Sequence, residues 1–306
     1  MKIINASEVF QALTPAQAVQ TLRDALRNFD PAQDSVRQSL NLQGGGDLLL
    51  MPSSTQKMAG IKVLTMNPDA EQTGTPMIQG QYLLFEGHTL APIAILDGAA
   101  ITSLRTPAVS VATILDFINH SAESLKVVIC GTGPQGRHHE ETLQSALEQT
   151  RPIHITYLSR TQPQDLENWV ESNSDPAKRA LAEAELIICA TSAQNPILFT
   201  DDVRDNAVIV ALGSHTPTAR EVDGELMARS QVILEDRATA ERECGDIIQA
   251  VEEGKLSYEH TVNMRDVILG NASLNRESPI IFKFSGMGWE DLAIAHAVFQ
   301  KLKEES

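Results

Sequence analysis

An apolar strand running straight into a glycine loop constrains this chain more than any other feature. Leu125-Lys126-Val127-Val128-Ile129-Cys130 leads into Gly131-Thr132-Gly133-Pro134-Gln135-Gly136. In a strand, loop and helix unit the first glycine permits a tight turn, the second lets the backbone approach a pyrophosphate, and the third lets helix and strand pack closely. The helix N-terminus then turns its unpaired N–H groups toward the phosphates. A glycine pattern alone is weak evidence. Here, however, apolar runs at Ile153–Leu158, Leu186–Ala190, Val208–Leu212 and Val232–Leu234 follow it. They alternate with helical stretches, as a buried parallel sheet with crossover helices requires. Dinucleotide binding is therefore expected, with Gly131, Thr132, Gly133, Gln135 and Gly136 in the loop and Thr191 just past a later strand. Between Arg160 and Ala184 there is a helix and a polar stretch but no strand of ordinary quality, so the sheet is expected to be abbreviated there.

The second strand ends in Leu158-Ser159-Arg160-Thr161, where an enzyme using NAD usually offers an acidic residue to the ribose 2′-hydroxyl. None is present. Ser159, Arg160 and Thr161 can instead hold a 2′-phosphate through charge-assisted and neutral hydrogen bonds. NADP(H) is favoured over NAD(H).

Ahead of the loop the texture differs. Thr14-Pro15-Ala16-Gln17 fits a capping box with proline at the first helical position, and Val19, Leu22, Leu26 and Phe29 recur at helical spacing. Short β-rich runs broken by glycine and proline follow at Leu48–Met51, Gly60–Leu64, Gln81–Phe85 and Ile93–Leu96, which predicts an antiparallel sheet. The tail from Asp291 to Leu302 reads as a helix that packs back on this first region. With 306 residues, at roughly 150 per domain, the chain reads as two domains. The fold class expected is α/β: a Rossmann-type NAD(P)-binding domain over 113–275, and an α+β domain over 1–112 joined by 276–306.

Charge and composition exclude other classes. A formal charge of −16 opposes binding to phosphate backbones and anionic lipid, so neither nucleic acid nor membrane is expected as a partner. No apolar run of about 18 residues and no signal-peptide core are present, which predicts a cytoplasmic protein. Cys130, Cys189 and Cys244 are far apart and read as small buried hydrophobes. The histidines, including the adjacent His138 and His139, show no ligand spacing, and no metal is expected.

Several segments together resemble the ornithine cyclodeaminase and mu-crystallin family along nearly the whole chain. They are Gly60-Ile61-Lys62-Val63, Ile95-Leu96-Asp97 with Ile101-Thr102-Ser103-Leu104-Arg105-Thr106, the Gly131–Gly136 loop, Arg220-Glu221-Val222-Asp223, and Phe282-Lys283-Phe284-Ser285-Gly286 with Glu290-Asp291-Leu292. The resemblance implies that the first domain binds substrate and forms a homodimer. It also implies that Arg37, Lys62 and Arg105 bind an α-carboxylate, and that Asp223, with Lys62, belongs to the catalytic set as the acid/base group beside the reacting nitrogen.

The residues themselves leave alternatives open. Lys62 lies between Ile61 and Val63, and Arg105 follows Ile101 and Leu104, so each cation needs an anionic partner. That partner is either a substrate carboxylate or one of this chain's own 40 acidic residues. Asp223 also suits a helix N-cap before Glu225-Leu226-Met227, and Arg37 sits in polar surroundings. Two departures from the family pattern stand out. Leu49 precedes Leu50-Met51-Pro52 where an ornithine-processing member is expected to carry glutamate, and Pro107 follows Arg105-Thr106 where alanine is expected, which predicts an altered helix start. An apolar Leu49 cannot pair with a side-chain ammonium. The function expected is reduction of small 2-imino or 2-keto acids, such as Δ1-pyrroline-2-carboxylate. Ornithine cyclodeamination, amino-acid dehydrogenation and non-catalytic binding of NADPH with a small carboxylate are the other readings.

Overall fold

The structure, a computed structural model, describes residues 1–304 and, at Glu71, the backbone alone. Two compact units are present: Met1–Val109 with the chain from Gly286 onward, and Ser110–Ser285.

The first unit opens with β1 (Lys2–Ile4), α1 (Ala6–Ala12) and α2 (Pro15–Asn28). The expected capping box is present at α2, where Thr14 Oγ1 accepts from the Gln17 N–H at 3.3 Å and the Gln17 side chain accepts from the Thr14 N–H at 3.0 Å. Ala18, Val19, Leu22 and Leu26 form its buried stripe. There follow β2 (Gln38–Asn41), β3 (Asp47–Ser54), β4 (Met58–Met66), α3 (Ala70–Thr73), β5 (Ile78–Glu86) and β6 (Pro92–Asp97). The sheet has the order β1-β6-β5-β4-β3-β2. It is antiparallel as expected except for β1, which pairs with β6 in parallel. Side chains alternate across it, so register decides what is buried. Met51, Lys62, Tyr82, Leu96 and Ile4 form one row on the covered face, and Pro52, Ile61, Leu83, Ile95 and Ile3 form a row on the opposite face.

Helix α4 (Gly98–Ile118) begins with Asp97 Oδ1 accepting from the Ala100 N–H at 2.8 Å. Its first half belongs to the first unit and its second half to the other. Pro107 lies inside this helix rather than at its start. The sequence reading found no apolar run long enough to span a membrane, yet α4 meets that test by length and composition. With 78% of its apolar window buried in protein, it behaves as a core helix.

The second unit contains β7 (Leu125–Cys130), α5 (Pro134–Leu147), β8 (Ile153–Ser159), β9 (Trp169–Glu171), α6 (Asp175–Glu183), β10 (Leu186–Cys189), β11 (Val208–Ala211), α7 (Gly224–Arg229), β12 (Gln231–Leu234), α8 (Arg237–Glu243), α9 (Gly245–Glu252), β13 (Thr261–Asn263), α10 (Met264–Ile268) and β14 (Ile280–Lys283). All its strands are parallel, in the order β9-β8-β7-β10-β11-β14-β12-β13. The strand missing between Arg160 and Ala184 is present as the three-residue β9, too short to carry a periodic signal. Neither β13 nor β14 was anticipated. The latter lies in the middle of the sheet, where it joins β11 to β12. Strand order reverses between β7 and β10, the switch point beyond which ligands bind in open parallel sheets.

Helix α11 (Gly288–Glu304) returns to the first unit and packs on α2, β3, β4 and β5, in keeping with its apolar spacing. Asp291 is fully buried on the same face as Ala295 and Val298.

Candidate functional site

The glycine loop is shaped as its three positions require. Gly131 has φ +109°, and a Cβ there would strike the Ala190 carbonyl oxygen, so β7 and β10 separate with no room for a side chain. A Cβ on Gly136 would strike the Gly131 carbonyl, the close helix and strand approach that the third glycine permits. Gly133 is different. No atom lies within 4 Å of where its Cβ would be, so packing does not demand glycine there and the space stays open above the N-terminus of α5. Gln135 adds a buried Oε1 with no hydrogen-bond partner among the described residues. A backbone open at the second glycine and a spare acceptor beside it fit a bound dinucleotide.

At the end of β8 the three expected residues are in different states. Ser159 Oγ donates to the Thr161 carbonyl at 2.7 Å and accepts from Trp169 Nε1 at 2.7 Å, so its one proton is already committed. Arg160 is exposed, and no hydrogen bond or ion pair among the described residues engages it. Thr161 is exposed beside it. Arg137, from the first turns of α5, lies over the Tyr157 ring and holds Asp165 with both carboxylate oxygens at 2.9 Å. The Thr191 hydroxyl donates to Glu221 Oε1 at 2.7 Å and is likewise committed within the protein.

In the first unit, register brings Lys62 to the covered face beneath α11. Its Nζ donates to Asp291 Oδ1 at 2.8 Å and to Thr102 Oγ1 at 3.2 Å, with no solvent exposure. Arg105 Nη1 donates to Glu290 Oε2 at 2.6 Å, and Arg105 Nε lies 3.4 Å from Asp291 Oδ1. Two cations from different elements thus meet two adjacent carboxylates at the start of one helix. Burial lowers the Lys62 pKa most; Asp291 raises it, Arg105 opposes that, and the balance is a value of about 8. A Cβ on Gly286, at φ +87°, would strike the Arg105 guanidinium. Arg37 stands just before the exposed edge strand β2, itself partly buried.

Asp223 caps α7: its Oδ1 accepts from the Leu226 N–H at 3.0 Å, and its own N–H donates to the Leu198 carbonyl at 3.1 Å. The capping alternative read from sequence is therefore realised, and the side chain remains partly exposed. Sequence reasoning assigned no role to Glu290, Asp291 or Glu221, all wholly buried. A signal existed for Asp291, since an acid at the i, i+4, i+7 positions of an apolar helix face is costly to bury unless a cation meets it.

The sequence model of the ornithine cyclodeaminase/mu-crystallin family matches residues 1–306. The Delta(1)-pyrroline-2-carboxylate/Delta(1)-piperideine-2-carboxylate reductase of Azospirillum brasilense is 27% identical over 304 residues, 95% of this chain and 93% of that protein. Ketimine reductase mu-crystallin of Mus musculus is 29% identical over 310 residues, 97% of this chain and 96% of that protein. Among solved structures, Thermococcus litoralis Delta(1)-pyrroline-2-carboxylate reductase in complex with NADH and L-proline superposes with a TM-score of 0.87. It is 23% identical and covers 100% of this chain and 98% of its own, a likeness of fold.

Proposed function

This chain belongs to the ornithine cyclodeaminase/mu-crystallin family, and from that premise we propose that it reduces the C=N bond of a small cyclic 2-imino acid, Δ1-pyrroline-2-carboxylate or a close homologue, with NADPH. The observation that carries this reading is Lys62, wholly buried beside Arg105 and held to about 8 because its carboxylate partners do not fully offset burial and the neighbouring cation. A substrate carboxylate placed beside Lys62 would favour its charged form. In this reading Lys62 and Arg105 orient the carboxylate, with Arg37 contributing from its place before β2. Asp223 pairs with the imine nitrogen or delivers its proton. Bound coenzyme supplies the hydride. Gly131, Thr132, Gly133, Gln135 and Gly136 hold its pyrophosphate, and Arg160 with Thr161 meets a 2′-phosphate.

Leu49 supports reduction over ornithine cyclodeamination. It is buried on the same face of β3 as Met51, the register partner of Lys62, so that face offers no carboxylate to a side-chain ammonium at position 49. A homodimer through the first unit is supported by the apolar row Ile3, Ile95, Leu83, Ile61 and Pro52, in which Ile3 is 74% exposed. A sedimentation mass equal to a single chain would remove the dimer.

The test is a panel of cyclic imines, and of keto acids with ammonia or methylamine, followed by NADPH absorbance in the parent and in Asp223→Asn. Asparagine keeps the cap but cannot carry a charge or exchange a proton. Turnover by the parent, reduced roughly 10²–10⁴-fold in the variant with NADPH binding unchanged, is the expected result. An equally active variant leaves Asp223 as a cap alone. Ornithine converted to proline and ammonia without net change in coenzyme would replace the reductase with the cyclodeaminase. Silence across the panel with NADPH still bound would leave a binding protein.

A further inference from the structure

Glu221 is wholly buried in the second unit, and the function proposed above gives it nothing to do. Its Oε1 accepts from the backbone N–H of Thr191 at 2.8 Å and from the Thr191 hydroxyl at 2.7 Å, while Oε2 accepts from the Gly213 N–H at 2.7 Å. Thr191 follows β10 and Gly213 follows β11, so one side chain ties together the loops leaving two adjacent strands. The fit is close: a Cβ on Gly213 would strike both the Thr191 carbonyl and the Glu221 carboxylate.

Glu221 is itself fixed from behind. Its N–H and that of Val222 both donate to Asp246 Oδ1, at 2.7 and 2.9 Å. Asp246 in turn pairs with Lys283 Nζ at 2.9 Å, and Lys283 donates to the Ser214 carbonyl at 2.7 Å. The Glu221 pKa is raised on balance: burial is the chief cause and Asp246 adds to it, while Lys283 and the Thr191 donors offset part of the rise. Three donated hydrogen bonds reach its oxygens, from the Thr191 N–H, the Thr191 hydroxyl and the Gly213 N–H. Donated hydrogen bonds on both oxygens, with Lys283 nearby, favour the charged carboxylate.

Position gives this carboxylate a further meaning. In an open sheet of this order the two halves of a dinucleotide are served by the strands on either side of the switch point. The glycine loop leaves β7, and the exposed Arg160 ends β8, so the adenosine half belongs with β7, β8 and β9. The nicotinamide half falls to β10, β11 and β14, whose loops Glu221 ties. An oxidised nicotinamide ring is a cation and a reduced one is neutral, so a buried negative charge acts differently on the two.

We propose that Glu221 is a positioning residue for the nicotinamide half of the coenzyme, and that its fixed negative charge favours the oxidised, cationic form over the reduced one. The proposal rests on the coenzyme part of the function above and is independent of the substrate. When hydride passes from NADPH to an acceptor carbon, the ring left behind gains the positive charge that this carboxylate stabilises.

The experiment compares the affinities of NADPH, NADP⁺ and 2′,5′-ADP, the last probing the adenosine half alone, in the parent, Glu221→Gln and Thr191→Val. Glutamine keeps the size and one acceptor but removes the charge. Expected are 2′,5′-ADP affinities unchanged within about twofold, and a ratio of NADP⁺ to NADPH affinity that falls about tenfold in Glu221→Gln, equivalent to about 30 mV in the potential of the bound two-electron couple. Thr191→Val removes a neutral donor only, and is expected to weaken both forms by the same factor of about three. Equal losses for NADPH and NADP⁺ in Glu221→Gln would overturn the charge effect, as would a changed ratio in Thr191→Val. Coenzyme affinities untouched by Thr191→Val would overturn the positioning role. A parent that binds NADH but not 2′,5′-ADP would remove the 2′-phosphate reading, and the same ratio is then read on NAD⁺ and NADH; a parent that binds none of these would overturn the proposal.

Discussion

Two lysines without solvent contact, Lys62 in the first unit and Lys283 in the second, shift in opposite directions. Burial lowers both. For Lys283 that effect is outweighed chiefly by Asp246, with Glu221 adding to it, and the pKa ends above the ordinary lysine value. For Lys62 the single close carboxylate of Asp291 is opposed by Arg105, and the pKa ends at about 8. Lys283 faces more negative charge than it can offset, as a structural counter-ion in a closed network does. Lys62 faces less than it needs. A buried cation held short of negative charge is what an anion-binding site looks like before the anion arrives, whereas an over-supplied cation belongs to the scaffold.

Exchanging each lysine for methionine tests that contrast most severely. In Lys62→Met, catalytic efficiency toward the imino acid is expected to fall roughly 10²–10³-fold, as when one partner of a buried charged pair is truncated, with NADPH affinity retained. Thermal stability should fall less than in the matching exchange of the second unit, because Arg105 still meets both Glu290 and Asp291. Lys283→Met instead strands Asp246 and Glu221 without a cation, at about 3–5 kcal/mol, so a melting temperature lower by roughly 10 °C is expected. Steady-state kinetics and calorimetric melts on both variants decide the matter. If Lys62→Met melts as early as Lys283→Met and keeps its specific activity, the two lysines are the same kind of residue.

A third cation sharpens the comparison from outside the core. Arg160 is exposed and has no partner among the described residues, so neither burial nor a carboxylate defines it. Removing it should disturb the scaffold not at all and one ligand only. Arg160→Ala is expected to weaken NADPH roughly ten- to hundred-fold, the loss of a charge-assisted contact, while NADH changes little. Fluorescence titration with each coenzyme measures this, and equal losses for the two would take the 2′-phosphate away from Arg160.

How much of this was legible beforehand differs between the two units for physical reasons. The Gly131–Gly136 loop could be read because glycine reports backbone geometry directly: Gly131 needs its positive φ and Gly136 its close packing. Strands β7, β10 and β11 were read because four apolar residues in a row leave a strong local signal. Strand β14 was missed because Lys283 interrupts its apolar run after Phe282 and its neighbours β11 and β12 are both reached by long crossovers. Partner choice was out of reach for the same reason. That Lys62 needs an anion follows from its apolar neighbours, but that the anion is Asp291, 229 residues away, follows only from how α11 lies on β4. Likewise nothing local shows that the Ser159 hydroxyl is turned to Thr161 and Trp169 instead of being left for a phosphate.

The gentlest test uses pH alone. Furan-2-carboxylate carries the ring size and carboxylate of the proposed substrate but no basic nitrogen, and it stays ionised throughout the range of interest. Its binding should require the charged form of Lys62, so the dissociation constant is expected to be flat below about pH 7 and to rise roughly five- to tenfold between pH 8 and 9 as Lys62 loses its proton at about 8. Stability moves the other way over the same window. Because the folded pKa of Lys62 lies below the 10.5 of an ordinary lysine, the unfolded chain binds more protons between about 8 and 10.5, and the Lys62 contribution to stability grows as pH rises. Lys283, with its raised pKa, contributes stability that is full below 10.5 and is lost only as pH climbs through its higher folded value. Calorimetric titration from pH 6.5 to 9.5, with melts of the unliganded protein alongside, separates ligand affinity from folding. Arginine does not titrate in this range, so Lys62→Arg should abolish the bend near pH 8 whatever it does to the affinity itself. A bend that persists in that variant belongs to another group, and an affinity that stays flat in the parent means that the carboxylate does not bind at Lys62.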